Sequence, residues 1–238
     1  MKSGNLYLIP NFIGDTPSTQ QFPAYNHEIV KGLKYFFVEN PKPARALIKA
    51  LHKEVDFNEI ELFQFDKHAK DNSETYREVL NCLQAGNSVG VLSDAGCPGI
   101  ADPGSELVRW AHEKNIQVIP LIGPSSIFLT LMSSGLNGQN FSFIGYLSKD
   151  AKERADQIKK MAINTKSSQL TYLFIETPYK TDATLKDLLQ HLSPSNYLCL
   201  GVDLFSMQQN ITTYSVDQWR KVKSLPTLKD RQVVFAVG

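Results

Sequence analysis

Cysteine is scarce in this chain of 238 residues. Cys82, Cys97 and Cys199 stand alone, with no C-x-x-C pair and no His/Cys cluster at ligand spacing. That argues against a zinc site or a disulfide frame and points to a reducing cytoplasm. Long apolar runs are missing too: none approaches the ~20 residues of a membrane span. Met1-Lys2-Ser3-Gly4-Asn5 leads straight into Leu6-Tyr7-Leu8-Ile9, without the core or cleavage pattern of a secretion signal. The expectation is a cytoplasmic protein with no membrane partner. There is little excess charge: 25 Lys+Arg balance 24 Asp+Glu, net +1, far from the basic balance of a dedicated nucleic-acid binder. Also absent are a P-loop lysine, H-E-x-x-H, the kinase set and any Ser-His-Asp arrangement.

The 42% hydrophobic and 21% charged content is that of an ordinary globular protein, and the length suits one large domain or two small ones. The chain is organised around Ser93-Asp94-Ala95-Gly96-Cys97-Pro98-Gly99-Ile100-Ala101-Asp102-Pro103-Gly104. The apolar run Ser88 to Leu92 before it reads as a buried strand. Three glycines and two prolines in the next dozen residues end that strand in a tight loop. Asp102 as N-cap and Pro103 at the first helical position then predict a helix whose apolar face carries Leu107, Val108 and Ala111. A strand over Ile116 to Ile122, a second sharp loop at Gly123-Pro124-Ser125-Ser126 and a helix over Ile127 to Met132 follow. In a parallel sheet the two loops would sit side by side at the carboxyl edge, where open α/β folds bind ligands; the alternative is that both merely connect.

Strands are expected at Leu6–Ile9, Tyr35–Val38 and Ile60–Phe65, and helices over Ala24 to Leu33, Ala44 to Leu51 and Glu74 to Gln84. Beyond Gly135 come strands at 141–147, 170–175, 197–202, 210–214 and 232–237, with helices over Lys149 to Ala162, Asp182 to Leu192 and Val216 to Val222. Short polar connections in this half predict a mixed sheet. The expected fold is α/β in two domains, residues 1–121 with a mainly parallel sheet and 122–238 with a mixed one, and a cleft between them.

Charge is uneven. Residues 1–148 carry 12 Lys+Arg against 15 Asp+Glu, net −3, and residues 149–238 carry 13 against 9, net +4. Two basic groupings, Lys149, Lys152, Arg154, Lys159, Lys160 and Lys166, and Arg220, Lys221 and Lys223, suit phosphate contacts or, equally, solvated helix faces. Glu39 ends a strand, either facing the crevice or exposed to solvent. His68 reads as a surface-loop histidine, with an acid, base or phosphate contact as the alternative. The loops offer backbone donors, the hydroxyls of Ser93, Ser125 and Ser126, and a few carboxylates. Asp94 would bind a ligand, brace its own loop, or do both.

The central stretch resembles the S-D-A-G-x-P-x-I-x-D-P-G signature of the tetrapyrrole methylase superfamily, most closely its ribosomal-RNA small-subunit ribose 2′-O-methyltransferase branch. Other pieces fall in the same order: Leu6 to Asp15, Pro120 to Ser126, Phe143 to Lys149 (similar to F-x-G-F-L-P-x-K), Phe174 to Lys180 (similar to F-Y-E-S-P-H-R) and Val233 to Gly238. The resemblance implies a homodimer of two-domain subunits holding S-adenosylmethionine in the interdomain cleft. By position, cofactor contacts would come from Ile13, Asp94, Ala95, Gly96, Cys97, Ile100, Ser125, Ser126, Glu176 and the Asp203-Leu204-Phe205 turn. Glu39 falls where related methylases place a proton-accepting acid. The acceptor would be an RNA 2′-hydroxyl. The alternatives are a tetrapyrrole carbon and a cofactor-binding homologue without catalysis. The chain departs from the ribosomal branch after the second strand, where E-D-T-R becomes Glu39-Asn40-Pro41-Lys42, and near the late strand, where R-E-L-T-K becomes Val202-Asp203-Leu204-Phe205-Ser206.

Overall fold

The computed structural model describes residues 3–14, 20–65, 72–101 and 104–238; Asp15, Asp66, Lys67, His68, Asp102 and Pro103 lie outside these. The chain divides into two compact units, Met1–Ser125 and Ser126–Gly238, a few residues beyond the break placed at 121/122 from the sequence. Among the described residues no helix is long and apolar enough to cross a membrane.

In the first unit β1 (Leu6–Ile9), β2 (Tyr35–Val38), β3 (Glu61–Gln64), β4 (Val89–Leu92) and β5 (Val118–Pro120) form one sheet in the order β3-β2-β4-β1-β5. Every pairing is parallel. The chain crosses the sheet one way from β1 to β3 and returns from β3 to β5. Right-handed crossovers therefore put the outbound helices on one face and the returning helices on the other. Thus α1 (Ala24–Gly32) and α2 (Pro41–Leu51) bury Val30, Leu47, Ile48 and Leu51 against Phe36, while α3 (Ser73–Gln84) and α4 (Ser105–Glu113) bury Val79, Leu83, Leu107 and Ala111 against Phe37. Covered on both sides, β4 reads as an unbroken buried run, Val-Gly-Val-Leu. A Cβ on Gly90 would lie 2.7 Å from Ile9 Cδ1 and 2.9 Å from Phe36 Cδ1, so the neighbouring strands' side chains occupy the space a larger residue would need.

β4 and β5 are not adjacent strands, because β1 lies between them, yet their loops meet as expected, with Cys97 Sγ 3.4 Å from Pro124 O. One strand is corrected: β5 is shorter than Ile116–Ile122. Ile116 donates its N–H to the Ala111 carbonyl at 2.9 Å, closing α4 instead of pairing in the sheet. In α2 the first turn starts at Pro41, ahead of the expected Ala44, since Asn40 caps it by accepting the Lys42 N–H at 3.1 Å.

The second unit opens with α5 (Ser126–Ser134) and then runs β6 (Phe141–Tyr146), α6 (Ala151–Ser168), β7 (Thr171–Ile175), α7 (Thr181–His191), β8 (Tyr197–Val202), β9 (Asn210–Ser215), α8 (Val216–Lys221) and β10 (Val233–Val237). Its sheet is mixed, in the order β6-β7-β10-β8-β9, with only the β6–β7 pair parallel. Alternation along β10 fills both faces: Val233, Phe235 and Val237 join the core with α6, α7 and α8, while Val234 and Ala236 meet α5. α6 continues to Ser168, past the expected stop at Ala162. Asn164, Thr165, Ser167 and Ser168 are weak helix formers, but burial of Thr165, with its hydroxyl accepting from Asn196 Nδ2 at 2.7 Å, overrides local preference.

Candidate functional site

Glu39, Ser93 and the residues after Pro120 leave β2, β4 and β5 at the carboxyl edge, and Asn11 leaves β1 beside them. Val38 pairs with Leu92 in register, so Glu39 and Ser93 emerge side by side.

Asn11 holds this edge together. Its backbone forms a two-way bridge with Gly96, Asn11 N–H to Gly96 O at 2.8 Å and Gly96 N–H to Asn11 O at 3.2 Å. Its buried side chain donates from Nδ2 to the carbonyls of Ser93 (2.8 Å) and Asp94 (3.3 Å), and its Oδ1 accepts the Phe12 N–H at 2.8 Å. Ser93 turns its hydroxyl inward, donating to Gly96 O at 2.9 Å, so it braces the loop and offers nothing to a ligand. Gly96 has φ +68°, in the left-handed region that glycine adopts without strain. The third loop joins through two contacts. Cys97 Sγ donates to Pro124 O at 3.4 Å, and Gly123 lies so close to Pro10 that an added Cβ would sit 2.4 Å from Pro10 Cβ. Burial pushes the Cys97 thiol above its ordinary value, which keeps the S–H available as that donor. Ile13 is clamped by Gln21, which accepts its N–H at 3.1 Å and donates to its carbonyl at 3.0 Å. Asn26 donates to Ile122 O at 2.8 Å.

Of the residues singled out from the sequence, Glu39, Ile13, Asp94, Ala95, Gly96, Cys97, Ile100 and Ser125 therefore belong to one unit and its carboxyl edge. Ala95 and Ile100 are exposed there; Glu39, Asp94, Cys97 and Ser125 are half-buried; Ile13 and Gly96 are buried. Ser126, Glu176 and Phe205 belong to the second unit. Glu176 follows β7, where Oε1 accepts the Thr177 N–H at 2.7 Å and Oε2 accepts the Thr184 hydroxyl at 3.3 Å. Phe205 sits in a turn with φ +59°, a strained setting for a bulky residue. Its N–H donates to Gln209 Oε1 at 2.9 Å, and Asp203 beside it pairs with Arg231 at 2.7 Å. Asn11, Gln21 and Asn26 were missed in the sequence. Asn11 alone carried a signal, a polar residue just beyond a buried strand in a breaker-rich loop; Gln21 and Asn26 carried none.

Several basic residues have structural employment. Arg154 pairs with Asp187 at 2.7 Å, Arg220 donates to the Leu189 carbonyl (2.8 Å) and the Leu192 carbonyl (3.0 Å), and Lys221 pairs with Asp217. Among the described residues no group of three His, Cys, Asp or Glu is placed to hold a metal ion.

The carboxyl-edge loops also limit what they can hold. Residues 10–14, 93–101 and 121–126 contain no Lys or Arg and one carboxylate, Asp94. A phosphate-bearing cofactor would find no counter-charge there, whereas a cationic, hydrogen-bonding one would. This donor set fits S-adenosylmethionine, whose sulfonium and ammonium are positive.

Known proteins agree. A family model, Tetrapyrrole (Corrin/Porphyrin) Methylases, matches residues 28–217. The chain is 32% identical over 217 residues to the Ribosomal RNA small subunit methyltransferase I of Synechocystis sp., covering 91% of this chain and 70% of that protein. Among solved structures it resembles the methyltransferase CobJ, with TM-score 0.61 and 16% identity over 99% of this chain and 94% of the other. It also resembles uroporphyrin-III C-methyl transferase from Thermus thermophilus complexed with S-adenyl homocysteine, with TM-score 0.54 and 14% identity over 99% and 97%. The carboxyl-edge loop set, the two sheets and the match over most of the chain lead to one assignment: this protein belongs to the tetrapyrrole (corrin/porphyrin) methylases.

Proposed function

We propose that this protein transfers the methyl group of S-adenosylmethionine to a ribose 2′-hydroxyl of small-subunit ribosomal RNA. Membership of the family makes it a methyltransferase; the acceptor is inferred from its likeness to the Synechocystis ribosomal RNA methyltransferase. The observation that carries the cofactor reading is the Ser93–Ala101 loop, free of cations and pinned by Asn11 at the carboxyl edge. The solved relative with S-adenyl homocysteine supports it. The tetrapyrrole relatives share the fold at 14–16% identity, which says nothing of acceptor choice.

When bound, S-adenosylmethionine supplies a methyl group on a positively charged sulfur, already activated for in-line displacement. The protein's own work is then positioning. Asp94 and the backbone of Ala95–Cys97 hold the cofactor, with Ile13, Ile100, Ser125, Ser126, Glu176 and Phe205 completing the set carried over from the family. A ribose hydroxyl is a poor nucleophile at neutral pH, and Glu39, leaving β2 beside Ser93, accepts its proton. General-base assistance of this kind is worth about 10²- to 10⁴-fold in rate.

The test has two arms. Titration calorimetry with S-adenosylhomocysteine reads the cofactor site, and mass spectrometry of small-subunit rRNA incubated with protein and S-adenosylmethionine reads the acceptor. A ribose-methylated nucleotide is expected; an intact cofactor isotherm with unmodified rRNA would reassign the acceptor. Glu39→Gln should keep the isotherm while lowering turnover about a hundredfold.

We further propose that the protein works as a homodimer in the cytoplasm, as its likeness to a ribosomal RNA methyltransferase suggests. α5 and β6 support the pairing: Phe128 (53% exposed) and Met132 (79%) stand out from α5, with Phe141 edge-on to Phe128 at 6.0 Å. Sedimentation equilibrium should give twice the chain mass, and Met132→Glu should reduce it to one.

A further inference from the structure

The second unit contains a cavity of about 630 Å³ between the β8–β9 hairpin, α8 and the segment that precedes β10. None of the family-derived cofactor residues lines it. Its floor is apolar and buried: Leu200, Val202, Trp219 and Leu228 are each at most 3% exposed. Its rim is polar, with Gln208, Gln209, Asn210, Thr212 and Ser224. This size and this division between floor and rim are those of small-molecule sites.

The chemistry of the rim narrows the occupant. Arg231 is the cation that lines the cavity, and it is neutralised by Asp203 at 2.7 Å while donating to Gln208 O at 2.7 Å. A bare anion therefore has no counter-charge within. The amides still have capacity: among the described residues Gln208 makes no side-chain hydrogen bond, Gln209 uses only Oε1, and Asn210 uses only Oδ1. Amides that both donate and accept match the edge of a nucleobase. Tyr214 supplies a stacking surface. Its ring, 41% exposed, is held edge-on by Trp219 at 5.1 Å and 69°, and Trp219 is itself fixed by donation from Nε1 to Leu198 O at 2.9 Å. Outside the cavity, the exposed Lys223 and Lys229 each neighbour a lining residue, where they can meet the phosphates on either side of an inserted base.

We infer that this cavity is a base-binding subsite for single-stranded RNA: one unstacked base lies against Tyr214 over the Trp219 floor, with its edge read by Gln208 and Asn210. It rests on the RNA reading above and adds to it a second place of contact, which would hold the substrate strand while another nucleotide is methylated.

The test uses the full-length protein and oligoribonucleotides of about six nucleotides, one with bases and one abasic throughout, with affinities read by fluorescence anisotropy. The base-bearing strand is expected to bind about tenfold more tightly than the abasic one. Tyr214→Ala and, separately, Gln208→Ala should erase most of that difference, while Tyr214→Phe should keep it. Gln208 lies on an exposed turn, so its variant decides the question even if Tyr214→Ala folds poorly. Equal binding of both strands, or a base preference unchanged in Gln208→Ala and Tyr214→Ala, overturns the subsite. Methylation of small-subunit rRNA, run in parallel, separates the two inferences. Intact methylation with no base preference sinks the subsite alone; base preference without methylation sinks the acceptor assignment and leaves the subsite standing.

Discussion

Asn11 is a single side chain serving three partners, and its removal should be felt twice. Asn11→Ala leaves the Ser93 and Asp94 carbonyls and the Phe12 N–H without their partner in a buried corner. The expected cost in urea unfolding is about 1–3 kcal/mol, with a weaker S-adenosylhomocysteine isotherm because the Ser93–Cys97 loop loses its brace. Asn11→Asp should be worse, since it replaces the donor facing two carbonyls with a carboxylate. The thiols give a second test. Burial raises Cys97, Cys199 and Cys82 above the ordinary 9.0. An unfolded chain therefore releases these protons at lower pH than the folded one, so stability is full below about pH 9 and falls as pH rises toward the folded-state values. Thermal melts at stepped alkaline pH should show this fall, and Cys199→Ser, which removes one titrating group, should make it shallower. The sequence disclosed the loop that these residues shape, because glycine and proline mark loops locally. It did not disclose Asn11, whose bracing role depends on carbonyls some eighty positions away.

At the level of elements, most strands and helices were legible from periodicity and breakers. The strand alternation of Val233 to Val237 and the apolar spacing of Leu107 and Ala111 reappear as buried faces. The insertion of β1 between β4 and β5 was not legible, because strand order depends on pairings distant in the chain. The ends of β5 and α6 were misjudged for the same reason: Ile116 closes a helix and Thr165 binds Asn196. One helix-to-sheet contact can be tested directly. A Cβ on Gly201 of β8 would lie 2.3 Å from Thr130 Oγ1 of α5. Gly201→Ala should therefore destabilise by about 1–3 kcal/mol. Thr130→Ala removes the clashing hydroxyl and methyl, so the double variant should recover part of that loss. The coupling in a double-mutant cycle measures how tightly α5 lies on its sheet.

For the whole molecule, charge and fold divide in the same way: the excess of bases falls entirely within the second unit. If that unit meets RNA through about three phosphates, raising salt from ~50 to ~200 mM should weaken RNA binding about ten- to twentyfold. If the cofactor is held as proposed, by loops free of Lys and Arg, the S-adenosylhomocysteine isotherm should hardly move. The long reach of the contacts at the carboxyl edge has one more consequence. Asn11 leaves the ribosome early, but Ser93 and Gly96 follow much later, and Gly123 and Pro124 later still. A growing chain can fold its first helices before this carboxyl edge is assembled. The three loops of the carboxyl edge therefore lock together all at once, just past the middle of the chain, when the last of them becomes available to brace the other two.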